Sequence, residues 1–530
     1  MNTMTTTRTP LVSLHTSNAG CSLAVEAHCG VAPPRHSDGN DSSARLALRS
    51  DSGAINRHLM REATLAAVLA FLLSACAHAP NAEAPTVPTS SSFKEVPPGW
   101  ITAAPADALD RGPWWTLFND AALNELVQRV EVSNQNVAAA AASYAQAQAL
   151  VREQRASLFP TLSLSGGASR SSGGNSLPGT GSKYQIGLGG SWEPDLWGRL
   201  SGGVSAAGAK AQASAADLAS ARLAAQGELA TNYFSLREAD AEAALLRTTI
   251  TAYEQSARIT KNRYDAGIAP KSDLLQAQTQ LANAKADLAG LEQQRAQLEH
   301  AMAVLIGETP ANFAVVPVEW KPSPIPAVPL VVPSALLQRR PDIAAAERRV
   351  AAANASIGVA RAAFFPTFNL SGNYGLGAAS VGDLFSASAA TWSLGLSLAQ
   401  TLFDAGARSA RVDEARGAWE QSVAQYRQTV LTAFQEVEDQ LAAARVLEQQ
   451  EILRRQASEA ADQTEQQVMN RYNAGQVSYT EVVTAQVSAM SARRALAQIA
   501  ASRQNAAVAL IRVLGGGWKV EGLLADETLF

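Results

Sequence analysis

The sequence predicts a mainly α-helical protein with membrane β-hairpins, built from one structural unit written twice. Three observations predict it. First, Arg263-Tyr264-Asp265-Ala266-Gly267 returns as Arg471-Tyr472-Asn473-Ala474-Gly475, and the same shift of 208 residues carries Ala277-Gln278 onto Ala485-Gln486, Glu228 onto Glu436, Ile306-Gly307 onto Leu514-Gly515 and Tyr184 onto Trp392. A fixed offset held over such a span marks tandem structural units. Second, each pentapeptide sits between long Pro-free segments of helical periodicity, so its Gly should turn one helix back along the next. Third, Phe159-Pro160-Thr161 and Phe365-Pro366-Thr367, offset by 206, each mark a change of hydrophobic period from 3.6 to 2.

The chain opens with residues 1–59, rich in Ser, Thr, Gly and Arg and without apolar periodicity. They read as an extension ahead of a start at Met60, or as an unusually long basic region of a targeting signal. Arg57, His58 and Arg61 precede the apolar run 63–75, too short to span a bilayer but suited to the core of a signal peptide over 60–75. It ends in Leu73-Ser74-Ala75-Cys76, the form of a bacterial lipobox, which makes Cys76 the expected palmitate-bearing first residue of the mature chain. An ordinary buried thiol is the alternative. Ala77 follows where an Asp would retain a lipoprotein at the inner membrane, so sorting to the outer membrane is expected. Residues 76–112, rich in Pro, Ala, Ser and Thr, read as an extended tether between the acylated Cys and a folded body.

The first repeat, 113–309, starts at Trp114-Trp115, with Asn119 or Asp120 as N-cap of a helix that carries Leu123, Leu126, Val127 and Val130 on one face. That helix should run to Ser157, with a break near Ser133. Pro160 ends it. A hairpin follows over 159–197, in which Leu162, Leu164, Tyr184, Ile186, Leu188 and Trp192 alternate with small or polar residues. The second repeat, 334–517, has its hairpin over 365–403, with Phe368, Leu370, Tyr374, Trp392, Leu394, Leu396 and Leu398 on the apolar face. Such alternation also suits a half-buried sheet. Strands about ten residues long, aromatic near their ends and exported behind a lipoprotein signal, favour a transmembrane barrel. Four strands cannot enclose a lumen, and lipid tolerates no open edge, so membrane insertion requires an oligomer.

The segments 201–262 and 406–470 are long helices, the first rising about 90 Å at 1.5 Å per residue. They exceed any bilayer and are too polar to lie in one. The returning helix of the first repeat has a seam of Leu274, Leu281, Leu288 and Met302, with Ala277, Ala284, Leu291, Leu298 and Leu305 offset by three. This is coiled-coil packing, and the richness in Ala beyond the seam suggests neighbours on two sides. The turns of the two helical hairpins span 263–273 and 471–481. Between the repeats, 310–333 is strewn with Pro and reads as a linker across their outside; the tail 518–530 has no pattern to assign.

Composition closes several doors. The net charge is −4, with no basic stripe, which disfavours nucleic acid as a partner. Of three Cys, Cys21 and Cys29 precede the expected cleavage site, which leaves no structural disulfide or Cys-based zinc site in the mature chain. His78 and His300 read as solvated. No Gly-x-Ser-x-Gly elbow, Walker-type loop or nucleophile-base pair is present, so no enzymatic activity, cofactor or metal is expected.

Leu336-Leu337-Gln338-Arg339-Arg340-Pro341-Asp342-Ile343, with Ala346-Glu347, Ile357-Gly358 and Phe365-Pro366, closely resembles the outer-membrane efflux-duct family typified by TolC. Trp114-Trp115 through Leu126, the doubled pentapeptide and the lipobox resemble its NodT-type lipoprotein branch. The resemblance implies a homotrimer whose four strands per chain close one twelve-stranded β-barrel in the outer membrane, continued by a hollow periplasmic α-barrel. It further implies an exit duct for drugs or small toxic solutes in a tripartite, RND-type multidrug efflux pump, docked on a periplasmic adaptor protein and an inner-membrane transporter. A duct for type I protein secretion stays open. So does a non-conducting periplasmic coiled-coil scaffold tethered at Cys76, which would insert no strands.

The resemblance also assigns sites. Arg263, Tyr264, Ala266, Gly267, Arg471, Tyr472, Ala474 and Gly475 match the family's positions for periplasmic closure and adaptor contact; the alternative is that Arg and Tyr only complete helix ends. Asp273 and Glu481 are repeat equivalents in the first turn after each tip, so a trimer would bring their carboxylates together at one end of the tube. There they would form a gate, or merely stabilise helix N-termini by about 0.3–1 kcal/mol. Family members often carry an Asp at the position of Thr484, and Thr puts that ring in doubt. Arg339, Arg340, Pro341 and Asp342 read as a helix start that holds the linker against the barrel.

Overall fold

Asp120 begins the first long element of a computed structural model that describes residues 113–171, 181–322 and 339–518, with short stretches at 86, 92–95 and 324–326. Cys76, the signal peptide 60–75, the extension 1–59 and the tail after 518 lie outside the described residues. The Asp120 carboxylate accepts hydrogen bonds from the Ala122 and Leu123 amides at 3.0 and 3.1 Å, capping helix α1 (Ala121–Ser133). Its other oxygen accepts from the Tyr233 hydroxyl at 2.6 Å. Asn134 interrupts the run and caps α2 (Gln135–Ala156), and its side-chain amide donates to the Leu305 carbonyl at 2.7 Å. The expected break is therefore a second N-cap, pinned to the base of the returning helix. Trp114, Trp115, Phe118, Leu123, Val127, Tyr233 and Phe234 form the centre of the main core.

After each Phe-Pro-Thr the chain forms a hairpin. Strands β1 (Thr161–Ser171), β2 (Gly181–Trp192), β3 (Thr367–Ala378) and β4 (Ala390–Ala399) make one antiparallel sheet in the order β1-β2-β3-β4. The two repeats meet at β2 and β3, with Ile186 opposite Leu376 and Leu188 opposite Tyr374. The sheet is open. β1 and β4 are its edges and each has a single strand neighbour.

The long elements are α3 (Arg199–Asp265) and α6 (Ala407–Asn473), each 67 residues, returned by α4 (Lys271–Leu305) and α7 (Tyr479–Val513), each 35 residues. At 1.5 Å per residue the outgoing helices are about 100 Å long. Along α4, Ala277, Ala284, Leu291 and Leu305 of one row are buried and Leu298 is half-buried, while in the other row Met302 is buried and Leu274, Leu281 and Leu288 are half-buried. The Ala-containing row of the heptad is thus the closer seam. α5 (Pro341–Ala362), the second repeat's counterpart of α2, packs against both α3 and α6, as its Ala-rich sequence allows.

The returning helices end identically. Gly307 and Gly515 have φ of +74° and +93°. Each sits where another backbone crosses: a Cβ at Gly307 would lie 2.3 Å from the Ser133 carbonyl oxygen, and one at Gly515 would lie 1.9 Å from that of Arg339. Ser133 and Arg339 are themselves repeat equivalents. The glycine shared by both copies therefore fits a shared backbone crossing, which the sequence comparison alone does not reveal.

Two segments outside the repeats are strapped onto them at equivalent places. The linker residues Phe313 and Val315 are buried; Arg237 donates to the Val316 carbonyl at 2.9 Å, Arg295 to that of Val315, and Glu299 accepts from the Val315 amide. This part of the linker packs on α3 and α4 of the first repeat. In the second repeat the place of Arg237 is taken by Arg445, which pairs with Glu95 at 2.6 Å. Glu438 accepts from the Lys94 and Glu95 amides at 2.7 and 2.9 Å, and Phe93 is buried. Residues 92–95 of the expected free tether are thus docked, because a buried aromatic and two main-chain bonds offset the loss of chain freedom. Pro341 occupies the first turn of α5 as expected, but the described contacts of Arg340 are with Asp342, Glu436 and the Val513 carbonyl. Its guanidinium ties the second repeat's own helices together.

Candidate functional site

The sheet carries the first half of the site. Even-numbered positions place Leu162, Leu164, Leu188, Tyr374, Trp392, Leu394, Leu396 and Leu398 on one face, and all are exposed, Trp392 by 79% and Leu162 by 75%. Leu164 faces Leu188, Tyr374 faces Trp392 and Leu370 faces Leu396 across the ladders. The odd positions supply Ser163, Ser165, Gln185, Asn373, Ser393 and Ser397. An apolar face this continuous is unfavourable in water and matches hydrocarbon. No helix among the described residues is long and apolar enough to cross a membrane.

At the far ends of the long helices lie the two tips. The Gly267 amide donates to the Tyr264 carbonyl and the Ile268 amide to that of Arg263, both at 2.8 Å; Gly475 and Gln476 repeat this on Tyr472 and Arg471, both at 2.9 Å. These are Schellman caps, closed by glycines at φ +72° and +74°. Main-chain carbonyls make them, so the Arg and Tyr side chains are not needed for capping. Ala266 and Ala474 are the exposed C-cap residues.

The sequence presents the tips as equals, but the structure divides their side chains. The Arg263 guanidinium lies 4.8 Å from the centre of the Tyr472 ring, joining the first tip to the second. Tyr472 is buried, in a cluster with Ala277, Tyr479 and Val482, while Tyr264 and Arg471 are exposed. Tyr479 lies 5.6 Å from Tyr472, ring to ring, and its hydroxyl is 3.4 Å from the Ser256 hydroxyl. Burial raises the Tyr479 pKa, with the charge of Asp273 adding to the effect. Sequence reasoning passed over Tyr479. The signal was available: 208 residues earlier stands Lys271, so an aromatic in the second repeat takes the place of a charged residue in the first.

Asp273 and Glu481 fall in the first turns of α4 and α7. Neither caps its helix through its side chain, the N-caps being Pro270 and Ser478 without side-chain bonds. Neither carboxylate makes an ion pair among the described residues; Asp273 is half-buried and Glu481 exposed. Deeper along the helices, Glu242 is buried and held by Arg494 at 3.2 Å and Gln498 at 2.8 Å. One turn earlier, Glu238 is pushed up to about 7 by burial, with the charge of Glu242 contributing.

Comparison with known proteins agrees with this geometry. The family described as outer membrane efflux protein matches residues 126–308 and 332–516, one stretch in each repeat. ArpC, an antibiotic efflux pump outer membrane protein of Pseudomonas putida, is 34% identical over 85% of this chain and 95% of its own. OprJ, an outer membrane protein of Pseudomonas aeruginosa, is 32% identical over 86% of this chain and 95% of its own. Among solved structures, the outer-membrane channel OprN superposes with a TM-score of 0.76 at 29% identity, covering 84% of this chain and 100% of OprN. The open state of the Neisseria gonorrhoeae MtrE outer membrane channel superposes at 0.74 and 28% identity, covering 84% and 99%. These likenesses make the chain a non-enzymatic transport duct of the outer membrane that reaches into the periplasm, and they exclude the tethered scaffold. Membership extends over both repeats, and the chain belongs to the outer membrane efflux protein family.

Proposed function

We propose that three copies of this chain close one twelve-stranded barrel in the outer membrane, and that their helices continue it as a tube whose inner end is gated at the tips. The observation that carries this reading is the open four-stranded sheet, apolar on one face and with two unsatisfied edges. The cargo is drugs or other small toxic solutes: the curated relatives include outer membrane proteins of efflux systems named for antibiotics, toluene and cations. Driving energy comes from an inner-membrane transporter, reached through a periplasmic adaptor that contacts Ala266, Gly267, Ala474 and Gly475 at the exposed tips. Cys76 carries the lipid anchor. Intact-mass measurement of the mature protein should start at Cys76 with acyl chains attached, and a Cys76→Ser variant without them; an unmodified N-terminus would remove the anchor.

Asp273 and Glu481 act here as gate carboxylates. In the trimer their charges converge at the closed end, where like charges resist closure unless cations or neighbouring Arg side chains compensate. The experiment is single-channel conductance in planar bilayers, for the native protein and for Asp273→Ala/Glu481→Ala. Discrete steps are expected, with the double variant changed in opening frequency or freed from block by cations. Steps indifferent to the substitutions would keep the duct and reduce the acids to helix-end charges.

A further inference from the structure

The sheet sorts its charges as well as its apolar side chains. Across both hairpins, residues 161–192 and 367–399, the sequence contains only three ionised side chains: Arg170, Lys183 and Asp383. Arg170 is even-numbered and shares the apolar face, at the end of β1. Asp383 lies in the connection between β3 and β4, where its carboxylate accepts from the Ser380 hydroxyl at 2.8 Å. Lys183 alone stands at an odd position of a strand, on the polar face. It is exposed and makes no ion pair among the described residues.

Lys183 pairs with Ser169 near the end of the sheet farthest from the helices. Beside it runs an open groove, floored by Gly187, Gly375 and Gly377 and walled by Ser165, Gln185 and Thr391. Gly187 and Gly375 are direct cross-strand partners, so two strands in succession offer no side chain there. The polar face is therefore low and uncharged below Lys183. In the barrel this face lines the lumen and the helices run into the periplasm, which puts Lys183 at the outer mouth. Twelve strands spaced about 4.8 Å apart and tilted about 40° give a bore of about 24 Å, backbone to backbone. An extended lysine reaches about 6 Å inward, so with three of them the whole bore lies within about one Debye length, 8 Å, of an ammonium.

We infer that the Lys183 ammoniums of three chains form a positive collar at the outer mouth, which admits anionic solutes and turns back cationic ones arriving from outside. This rests on the trimer reading and adds to it a charge selectivity at the end opposite the gate carboxylates. The glycine floor keeps the bore wide, so the collar acts through its field at a distance and not by contact. A transporter can drive a cation outward past such a field. A cation diffusing back meets the same repulsion with nothing behind it.

The test reads the local potential with a thiol, in intact cells, whether or not the inner end is closed. Ser169→Cys places the thiol beside Lys183, and membrane-impermeant methanethiosulfonates of opposite charge, sulfonatoethyl and trimethylammonioethyl, are added outside. Cys76 is the only other cysteine after the expected signal peptide. The anionic-to-cationic ratio of reaction rates should fall about tenfold when Lys183→Gln is added, because a unit charge about 6 Å away in water shifts the two rates in opposite directions. Lys183→Arg should keep the ratio and Lys183→Glu should invert it. Leu164→Cys, on the apolar face, should react with neither reagent. A ratio that Lys183→Gln leaves unchanged would overturn the collar and leave the barrel standing, as would a Ser169→Cys silent to both reagents in a protein that sediments as a trimer. Reaction at Leu164→Cys with none at Ser169→Cys, or sedimentation as a monomer, would overturn both.

Discussion

Gly515→Ala is expected to cost about 4 kcal/mol or more and to strip the protein from the outer membrane, whereas Gly475→Ala should cost only about 1–2 kcal/mol. The two glycines have similar left-handed backbones, at φ +93° and +74°. They differ in what surrounds them. Nothing lies within 4 Å of a Cβ at Gly475, while one at Gly515 would sit 1.9 Å from the Arg339 carbonyl oxygen. Only backbone strain separates Gly475→Ala from the native protein. In the second, the crossing segment must move, and the adjacent Arg340 guanidinium, which holds Asp342, Glu436 and the Val513 carbonyl, moves with it. Gly307→Ala should behave like Gly515→Ala, since its Cβ would meet the Ser133 carbonyl oxygen at 2.3 Å. Thermal unfolding midpoints in detergent, with the amount of protein recovered in outer-membrane fractions, check this; equal losses at Gly515 and Gly475 would refute the backbone-crossing account.

The same comparison marks where sequence reading succeeds. Periodicity, Pro placement and the internal offset give the strands, the long helices, the tips and the break near Ser133, because each is written in local residues. The Ala row of the heptad is legible too, since small residues at helical spacing permit close approach. What escapes is whatever depends on one copy meeting the other. Equal motifs predict equal tips, yet packing between units buries Tyr472 and leaves Tyr264 exposed. Arg340 reads as part of a helix start, but besides the neighbouring Asp342 its partners come from α6 and the end of α7, distant in sequence. Residues 92–95 read as tether because they lie in a segment rich in Pro, Ala, Ser and Thr; only the fold supplies Glu438 and Arg445 to hold them. The gate role of Asp273 and Glu481 stays a proposal, since within the chain the two acids fall in separate first turns and Glu481 is exposed.

The tips give the largest expected effect on conduction. Tyr472 is held by its ring, with Arg263 at 4.8 Å from its centre and Tyr479 at 5.6 Å, while its buried hydroxyl has no hydrogen-bond partner among the described residues. Tyr472→Phe removes an unsatisfied polar group and keeps both ring contacts, so closure should be preserved or tightened. Tyr472→Ala removes the ring. The cation–π contact alone is worth about 1 kcal/mol in each chain, and losing it in all three chains of the proposed trimer would raise the open-to-closed ratio about a hundredfold. Arg263→Ala should open the duct in the same direction, and the double variant Arg263→Ala/Tyr472→Ala by less than the sum, because both remove one interaction. Open probability in planar bilayers measures all four. If Tyr472→Phe opened the duct as much as Tyr472→Ala, the hydroxyl and not the ring would close it; if none of the four changed the open probability, the tips would hold the helices together without gating the tube.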